Sequence, residues 1–341
     1  MSRKQQVISL GIYMVMLGSC TGGKITPDSP YLFTKPPHFP EPTYTFDNNP
    51  VTEAGFKLGK ILFNDPMLSS DHSVACSNCH AKAVAFADPQ HRLSVGVDDK
   101  AGTRNAPPLM NLAFMDAFFW DGGVVHLDFV PINAIESDFE MNETLANVVG
   151  KLNASKTYPS LFEKAFGEID SINAPLMLHA LSQYMCRLVS ADSKYDQFLQ
   201  QKTSLTQSEM EGLQLFEQKC STCHSGVLFT NQEYLNNGLD TQFSDIGRER
   251  ISEWSGDKGK FRVPSLRNVG LTAPYMHDGR FNTLEEVLQH YRFGINASET
   301  LSPSLQKDGK LGIELTDNEQ KQIIDFLHTL TDRNFTSNDL F

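Results

Sequence analysis

The apolar residues of this chain recur at helical spacing in several short stretches, with long polar loops between them. Apolar side chains that return every three or four residues predict helices over residues 53–63, 143–152, 160–166 and 175–199. No stretch alternates apolar and polar residues for long enough to predict an extended strand. The pattern therefore predicts a mostly α protein with long loops.

Threonine residues mark the starts of several of these helices. Thr52 precedes the first predicted helix and is a candidate N-cap, because its hydroxyl can accept a hydrogen bond from a free backbone N–H of the first turn. Three further threonines are each followed three residues later by a glutamate that can bond back to the cap. These capping boxes are Thr206 with Glu209, Thr283 with Glu286 and Thr316 with Glu319.

The first fifty residues follow a different pattern. Arg3 and Lys4 precede an apolar run over residues 7–17, which is too short to span a bilayer as a mature helix. The run ends in Leu-Gly-Ser-Cys20, which resembles a bacterial lipoprotein signal whose cysteine becomes the lipidated first residue. A plain secretory signal with an incidental cysteine is the alternative. Either signal predicts a periplasmic or cell-envelope protein, and Cys20 predicts a lipid anchor in a membrane.

Residues 21–50 contain seven prolines and few apolar repeats, so they are expected to form an extended tether between the signal at 1–20 and the first domain.

A motif that occurs twice indicates an internal duplication. It consists of Pro-x-Leu-x-Asn, an Asp-Gly pair ten residues beyond the asparagine, and an arginine shortly upstream. The copies are Arg104, Pro107, Leu109, Asn111 and Asp121-Gly122, then Arg262, Pro264, Leu266, Asn268 and Asp278-Gly279. The sequence therefore predicts two related domains over 51–203 and 204–341.

Length and charge set limits on the function. The 341 residues, 40% of them hydrophobic and 10% aromatic, are enough for two domains with their own cores. The formal charge of −12 argues against nucleic-acid binding and favours an acidic surface that would attract a small basic partner.

Each predicted domain carries one C-x-x-C-H motif, which is the attachment signature of c-type haem. The two cysteines lie three residues apart and can form thioethers on one face of a helix, while the adjacent histidine reaches the iron. A structural zinc site is the alternative, but its cysteine pairs usually lie about 15–20 residues apart, whereas 140 residues separate these two motifs. We name them the first cassette, Cys76-Ser77-Asn78-Cys79-His80, and the second cassette, Cys220-Ser221-Thr222-Cys223-His224.

Two cysteines remain outside the cassettes, so no disulfide framework is predicted. Cys186 lies in the apolar stretch 176–189, where a buried inert thiol is the expected state. Cys20 belongs to the predicted signal, and export agrees with the cassettes because bacterial c-type haem attachment takes place outside the cytoplasm.

Further motifs resemble those of the bacterial dihaem cytochrome c peroxidase family, including its branch that matures methylamine dehydrogenase. The resemblance covers residues 50–335 and implies two cytochrome c-like haem domains related by duplication. It rests on Leu58-Gly59-x-x-Leu62-Phe63, Arg104-Asn105-Ala106-Pro107, Phe119-Trp120-Asp121-Gly122, Glu140-Met141 and the stretch Thr272-Ala273-Pro274-Tyr275-Met276-His277-Asp278-Gly279.

By this resemblance the N-terminal haem is the peroxide site, with His80 as proximal ligand. Family members that need reductive activation carry a distal histidine six residues before Arg-Asn-x-Pro, where this chain has Asp98, and His91 is displaced from that position. The resemblance therefore implies a five-coordinate iron that needs no activation step.

The resemblance also implies the catalytic residues. The distal carboxylate of the family lies twenty residues after its tryptophan, which places Glu140 twenty residues after Trp120, with Glu136 as the rival. A carboxylate there can move a proton between the two oxygens of peroxide. Val130 replaces a residue that is often glutamine, so this pocket loses a polar group. Trp120 is expected to relay electrons between the haems, the alternative being an ordinary core aromatic residue.

For the C-terminal haem, His224 is the implied proximal ligand. The sixth ligand of activating peroxidases is a methionine nineteen residues after the threonine of Thr-x-Pro-Tyr, and that position is Tyr291 here, as in the maturation branch. Met276 is the alternative ligand. The family also holds calcium between its domains, and the matching residues are Asn105, Thr272 and Pro274.

The sequence thus predicts an exported dihaem peroxidase that reduces hydrogen peroxide to water with electrons from a small cytochrome or copper protein. Two alternatives stay open, namely a dihaem oxidase that modifies a partner protein and a non-catalytic electron-transfer cytochrome. Tyr291 and the missing distal histidine favour the oxidase. Dimers are frequent in the family, so a homodimer is a further possibility.

Overall fold

The computed structural model describes residues 32–341, so the predicted signal and Cys20 lie outside the described part of the chain. The fold is mostly helical, as the sequence predicts. The helices are α1 Glu53–Phe63, α2 Cys76–Cys79, α3 Val130–Glu136, α4 Leu145–Ala154, α5 Tyr158–Phe166, α6 Ala174–Cys186, α7 Lys194–Leu199, α8 Gln207–Lys219, α9 Glu249–Ser252, α10 Leu284–Gln289, α11 Asp317–His328 and α12 Arg333–Ser337. Two antiparallel pairs of two-residue strands complete it: β1 Tyr234–Leu235 with β2 Phe261–Arg262, and β3 Gln306–Lys307 with β4 Lys310–Leu311.

The predicted helix caps are confirmed. The Thr52 hydroxyl accepts from the backbone N–H of Gly55 at 3.0 Å, and the three Thr-Glu capping boxes form at the starts of α8, α10 and α11.

Each half of the molecule is built on a pair of closely packed helices. In the first half α1 packs against α6, and a side-chain carbon added at Gly59 would overlap the carbonyl oxygen of Ala180. In the second half α8 packs against α11, and Gly212 approaches the carbonyl oxygen of Gln322 in the same way. Both glycines are followed by Leu and Phe three and four residues later. The duplication therefore extends to a Gly-x-x-Leu-Phe motif whose second copy the sequence analysis did not identify.

The loops of the two halves repeat as well. Asn111 and Asn268 take left-handed conformations with φ of 58° and 57°, and each begins a short 3₁₀ turn. The loops that follow are closed by equivalent bridges, from Phe118 to Val124 and from Tyr275 to Phe281. The backbone thus confirms the internal duplication, and in this alignment Met276 and His277 correspond to Phe119 and Trp120.

The predicted helix over 175–199 is wrong in its middle, because the chain leaves α6 after Cys186 and α7 begins only at Lys194. The carboxylate of Asp332 accepts hydrogen bonds from the backbone N–H groups of Ala191 and Asp192, each at 3.0 Å. These bonds replace helical ones, and Ser193 then caps α7. The interruption is set by a residue about 140 positions away in the sequence.

The tether prediction is wrong for residues 32–50, which pack against the body of the protein. Phe33, Phe39 and Tyr44 belong to the core of the first half, because aromatic residues stand between the prolines and are buried together. The backbone N–H of Thr43 donates to the carbonyl oxygen of Ala113 at 2.9 Å.

A buried ion pair fastens the segment 32–50 to the helices behind it. Arg267 and Asp196 have no exposed side-chain surface and share two hydrogen bonds of 2.8 Å. His38 contacts the same carboxylate at 2.9 Å, and the ring of Phe39 lies 4.6 Å from the guanidinium carbon of Arg267. Burial raises the pKa of Asp196, but Arg267 outweighs this effect and holds the pKa at about 2.

Within residues 32–341, no helix is long and apolar enough to cross a membrane.

Candidate functional site

The two cassettes have the same local structure. The backbone N–H of His80 donates to the carbonyl oxygen of Cys76 at 3.0 Å, and that of His224 donates to Cys220 at 3.0 Å. Each cassette is thus one turn, which brings its two cysteines and its histidine to neighbouring positions. The turns lie at α2 in the first half and directly after α8 in the second.

Both cassette histidines are fixed by a backbone carbonyl. Nδ1 of His80 donates to Phe86 O at 3.0 Å, and Nδ1 of His224 donates to Phe229 O at 3.2 Å. Each ring therefore keeps Nε2 as its metal-binding atom, the arrangement expected of a ligating histidine. Burial lowers the pKa of both rings, that of His224 to about 4, so they stay neutral.

The two residues whose carbonyl oxygens accept these bonds share an unusual backbone geometry. Phe86 and Phe229 have φ of 61° and 53°, which a bulky residue rarely adopts. Strain of this kind is concentrated at functional sites. The sequence analysis missed both residues, since a phenylalanine in a loop gives no signal of positive φ.

A large cavity lies beside the second cassette. It contains about 1570 Å³ of space, its open mouth included, and its walls are mainly apolar. Cys220, Cys223 and His224 line it from the second half, and Asn105 and Trp120 reach it from the first. An apolar cavity that opens onto both thiols and the imidazole fits a planar macrocycle such as haem.

Arg262 supplies a second test of that fit. Its side chain is half-buried in the cavity wall, and among residues 32–341 no carboxylate forms an ion pair with it. It donates weakly, to Phe119 O at 3.3 Å and toward Met115 Sδ at 3.9 Å, and burial lowers its pKa. A cation that is partly withdrawn from water costs free energy unless it meets an anion. The carboxylate groups of a haem would provide one, so Arg262 would hold them.

Both candidates for the sixth ligand line this cavity. Tyr291 lies in a single π-helical turn, His290–Gly294, that continues α10. Burial raises the pKa of Tyr291 to about 12, and the side chain of Asn237 acts in the opposite direction. The sulfur of Met276 accepts a hydrogen bond from Asn237 Nδ2 at 3.3 Å. Asn237 was not among the predicted site residues.

Trp120 connects the halves. Its Nε1 donates to Asn105 O at 2.9 Å, and its own carbonyl accepts from Arg262 N at 2.7 Å. The indole lines the cavity of the second cassette although it belongs to the first half of the chain. This position agrees with the predicted relay between the two cassettes, which stays a prediction.

Glu140 lies beside the first cassette. Val97 N donates to the carbonyl oxygen of Glu140 at 2.8 Å, and a side-chain carbon added at Gly96 would overlap that oxygen. Burial raises the pKa of the Glu140 carboxyl. Burial also raises the pKa of the Cys76 thiol to about 12, and the negative charge of Glu140 adds to this shift.

The rival residues have other surroundings. Glu136 is exposed, and within residues 32–341 it accepts one hydrogen bond, from Leu145 N at 3.4 Å. Asp98 is exposed, with 71% of its side-chain surface accessible. His91 pairs through Nδ1 with the buried Asp88 at 3.0 Å. Of the two glutamates, Glu140 is the less exposed, and its catalytic role stays a prediction.

The predicted calcium ligands also share one location. Asn105, Thr272 and Pro274 all line the cavity of the second cassette, at the contact between the two halves. Within the described chain, Asn105 Oδ1 and the carbonyl oxygens of Thr272 and Pro274 accept no hydrogen bond. Free oxygen donors of this kind suit calcium, but no cluster of three or more acidic, histidine or cysteine side chains is present in residues 32–341, so the site stays a prediction.

Comparisons with known proteins agree with this geometry. The family model described as di-haem cytochrome c peroxidase matches residues 53–204. The methylamine utilization protein MauG of Methylorubrum extorquens is 34% identical over 303 residues, which covers 87% of this chain and 83% of that protein. The cytochrome c551 peroxidase of Pseudomonas aeruginosa is 31% identical over 302 residues, covering 86% and 83%.

A solved structure matches as well. The crystal structure of a MauG-like protein associated with microbial copper homeostasis superimposes with a TM-score of 0.83 at 30% identity, covering 90% of this chain and 97% of that one. With relatives of this identity along more than four fifths of its length, the chain belongs to the di-haem cytochrome c peroxidase family, which includes peroxidases and MauG proteins, and as a member it carries two c-type haems.

Proposed function

We propose that this protein is a peroxide-dependent oxidase that reduces hydrogen peroxide at the first cassette and takes the electrons from a partner protein, which is thereby oxidatively modified. Tyr291 in the cavity beside His224 is the observation that carries the proposal. Each haem, when bound, supplies an iron that exchanges electrons with peroxide or with the other haem. A phenolate oxygen is a harder, more electron-rich ligand than the thioether of methionine and therefore favours oxidised states of the second site.

At the first cassette, Glu140 moves the proton. Its carboxylate can accept a proton from one oxygen of peroxide and return it to the other as the O–O bond breaks. Over the whole reaction, hydrogen peroxide takes up two electrons from the partner protein and two protons and gives two molecules of water. Burial raises its pKa toward the working pH, which suits a group that must both accept and release a proton. Phe86 O accepts from Nδ1 of His80 and fixes the ring, so that Nε2 stays available to the metal.

The predicted peroxidase fed by a small cytochrome or copper protein is the second candidate. Met276 favours it, because the thioether lies in the same cavity as Tyr291. The non-catalytic cytochrome is disfavoured, since a pure electron carrier has no need of a carboxyl such as Glu140 held beside its cassette.

Two turnover measurements separate the candidates. With reduced small cytochrome as donor, the oxidase is expected to consume peroxide slowly, and without any donor its two-electron-oxidised form is expected to persist. Rapid turnover with that donor together with rapid decay without it would support the conventional peroxidase instead.

Tyr291→Phe tests the ligand directly. We expect haem content to stay unchanged and the ferric electron paramagnetic resonance spectrum of the second haem to change. We also expect the oxidised form to decay about tenfold faster in the absence of a donor, which corresponds to an activation free energy lower by ~1.4 kcal/mol. Tyr275→Phe is the matched control, because Tyr275 lines the same cavity but donates its hydroxyl to Val269 O at 2.8 Å. An unchanged spectrum in Tyr291→Phe would remove the basis of the proposal.

Trp120→Phe tests the relay. We expect the second haem to be oxidised about tenfold more slowly after peroxide is added, which corresponds to an activation free energy higher by ~1.4 kcal/mol. Stopped-flow absorbance measures this rate. The other tryptophan, Trp254, is 62% exposed, and Trp254→Phe is the control that should leave the rate unchanged. Equal rates in both variants would contradict a role for Trp120.

We also propose that Cys20 anchors the protein to a membrane of the cell envelope and that Asn105, Thr272 and Pro274 bind calcium. The signal sequence supports the first proposal, and the free oxygen atoms at the contact between the halves support the second.

A further inference from the structure

Each half of the chain ends in a short helix that packs against the core of the other half. Helix α7 follows α6, and the ring of its Tyr195 lies 5.3 Å from that of Phe229 in the second half. Helix α12 follows α11, and the ring of its Phe335 lies 5.6 Å from that of Phe86 in the first half. Phe335 is 3% exposed and belongs to the core of the first half. The two halves therefore exchange their last helices.

Phe86 is the residue that holds the histidine of the first cassette. Its carbonyl oxygen accepts from His80 Nδ1 at 3.0 Å and also from Leu109 N at 3.2 Å. Both bonds require that the carbonyl keep its direction, which follows from the φ of 61° at Phe86. A bulky residue rarely adopts this conformation, and it persists only where the surrounding structure imposes it. Packing around the Phe86 side chain can therefore set the direction of the carbonyl.

Within residues 32–341, three buried aromatic rings lie around the Phe86 side chain. Phe63 lies 6.2 Å and Tyr184 6.5 Å from the Phe86 ring, whereas the distance to Phe335 is 5.6 Å. Phe63 belongs to α1 and Tyr184 to α6, so both come from the same half as Phe86. Phe335 is the contribution of the other half.

The chain around Phe335 is fixed on both sides. The carboxylate of Asp332, which also interrupts the predicted helix over 175–199, accepts from Phe335 N at 2.9 Å. After α12, the carbonyl oxygen of Asn338 accepts from Lys82 Nζ at 3.0 Å. Lys82 follows His80 by two positions in the sequence. The end of the chain is thus tied to the loop that follows the first cassette.

We infer that Phe335 is a positioning residue, which acts through Phe86 to hold His80 as the ligand of the first haem. A hydrogen bond from Nδ1 to a carbonyl oxygen fixes the imidazole and makes Nε2 more basic. Without the Phe335 ring, Phe86 can relax toward an ordinary φ, and its carbonyl moves away from Nδ1. The inference concerns haem binding, which follows from family membership, so it goes beyond the proposed function and holds for both candidates.

Phe335→Ala in the haem-loaded full chain tests the inference. By resonance Raman spectroscopy, we expect the iron–histidine stretching band of the ferrous first haem to shift to lower frequency. The reduction potential of that haem should rise, because a less basic histidine stabilises ferric iron less. Peroxide turnover should fall by about tenfold, the lower end of the loss when a hydrogen bond to a metal-binding histidine is removed.

Phe162→Ala is the matched control. Phe162 is fully buried in the same core, but its ring packs against Tyr158 and Phe166 at 6.4 and 6.1 Å. Both variants should unfold at a lower urea concentration than the wild-type protein, and only Phe335→Ala should move the band and the potential. If these stay unchanged in Phe335→Ala, or move equally in both variants, the inference is wrong.

Phe335→Leu keeps the test valid if Phe335→Ala does not fold. Leucine retains part of the side-chain volume but not the ring, so we expect a smaller shift of the band in the same direction. An unchanged band in Phe335→Leu would overturn the inference. Its failure is distinguishable from that of the proposed function, because the Phe335 variants report on the first haem and Tyr291→Phe reports on the second.

Discussion

Replacing Glu140 by glutamine is expected to lower peroxide turnover by about 10²- to 10⁴-fold, the usual contribution of a general acid-base group. Glutamine keeps the size of the side chain but cannot accept and return a proton. Haem content should be unchanged, since the cassettes are untouched. Steady-state peroxide consumption by the loaded protein, with haem content measured in parallel, gives the result.

The pH dependence separates a catalytic role from a structural one. Burial raises the pKa of Glu140, so in the wild-type protein the activity should rise as the pH increases through a value above the ordinary 4.5 of a glutamate. In Glu140→Gln the activity should no longer rise with pH in this range. A carboxyl whose pKa is raised on folding contributes stability only at low pH and loses it as the pH rises, so the variant should not unfold more easily at neutral pH.

Glu136→Gln is the control, because Glu136 is the exposed glutamate of the same region. We expect this variant to retain full turnover. A comparable loss in Glu136→Gln, or unchanged turnover in Glu140→Gln, would show that Glu140 is not the proton carrier.

Arg267→Met is expected to lower the free energy of unfolding by about 3–5 kcal/mol, because it leaves the carboxylate of Asp196 buried without its partner. Neither side chain of the pair is exposed, so solvent does not weaken the interaction. Urea unfolding of the loaded protein, followed by circular dichroism, measures the change.

The acid side of the stability curve gives an independent measurement. Arg267 holds the pKa of Asp196 at about 2, below its value in an unfolded chain, so the pair contributes stability above pH ~4 that is lost as the pH falls toward 2. Arg267→Met should lack this acid-dependent loss. Arg267→Met combined with Asp196→Asn should recover part of the stability, because no charge is then buried. A loss below about 1 kcal/mol in the single variant would contradict the assigned role.

Much of the site could be predicted because its chemistry is local in sequence. A C-x-x-C-H cassette contains both attachment thiols and a ligand within five residues, and one turn brings them together in each half. Capping boxes such as Thr206 with Glu209 are local in the same sense. The repeated Pro-x-Leu-x-Asn motif places its asparagines in matching left-handed turns.

The remaining features depend on residues that are distant in sequence. Asp332 interrupts the predicted helix over 175–199, and Arg267 holds the segment that was expected to be a tether. Arg262 was identified by its repeat position, but only the three-dimensional structure shows that no carboxylate of residues 32–341 pairs with it. Asn237 belongs to no motif, and its contact with Met276 joins two loops that are 39 positions apart in the sequence.

The packing of residues 32–50 restricts where the enzyme can operate. With Cys20 lipidated as proposed, only residues 21–31 separate the anchor from the packed body. Eleven fully extended residues reach at most about 40 Å. We therefore expect the catalytic body to stay within roughly its own diameter of the bilayer surface, so that soluble partners must diffuse to that layer while neighbouring membrane-bound proteins already occupy it.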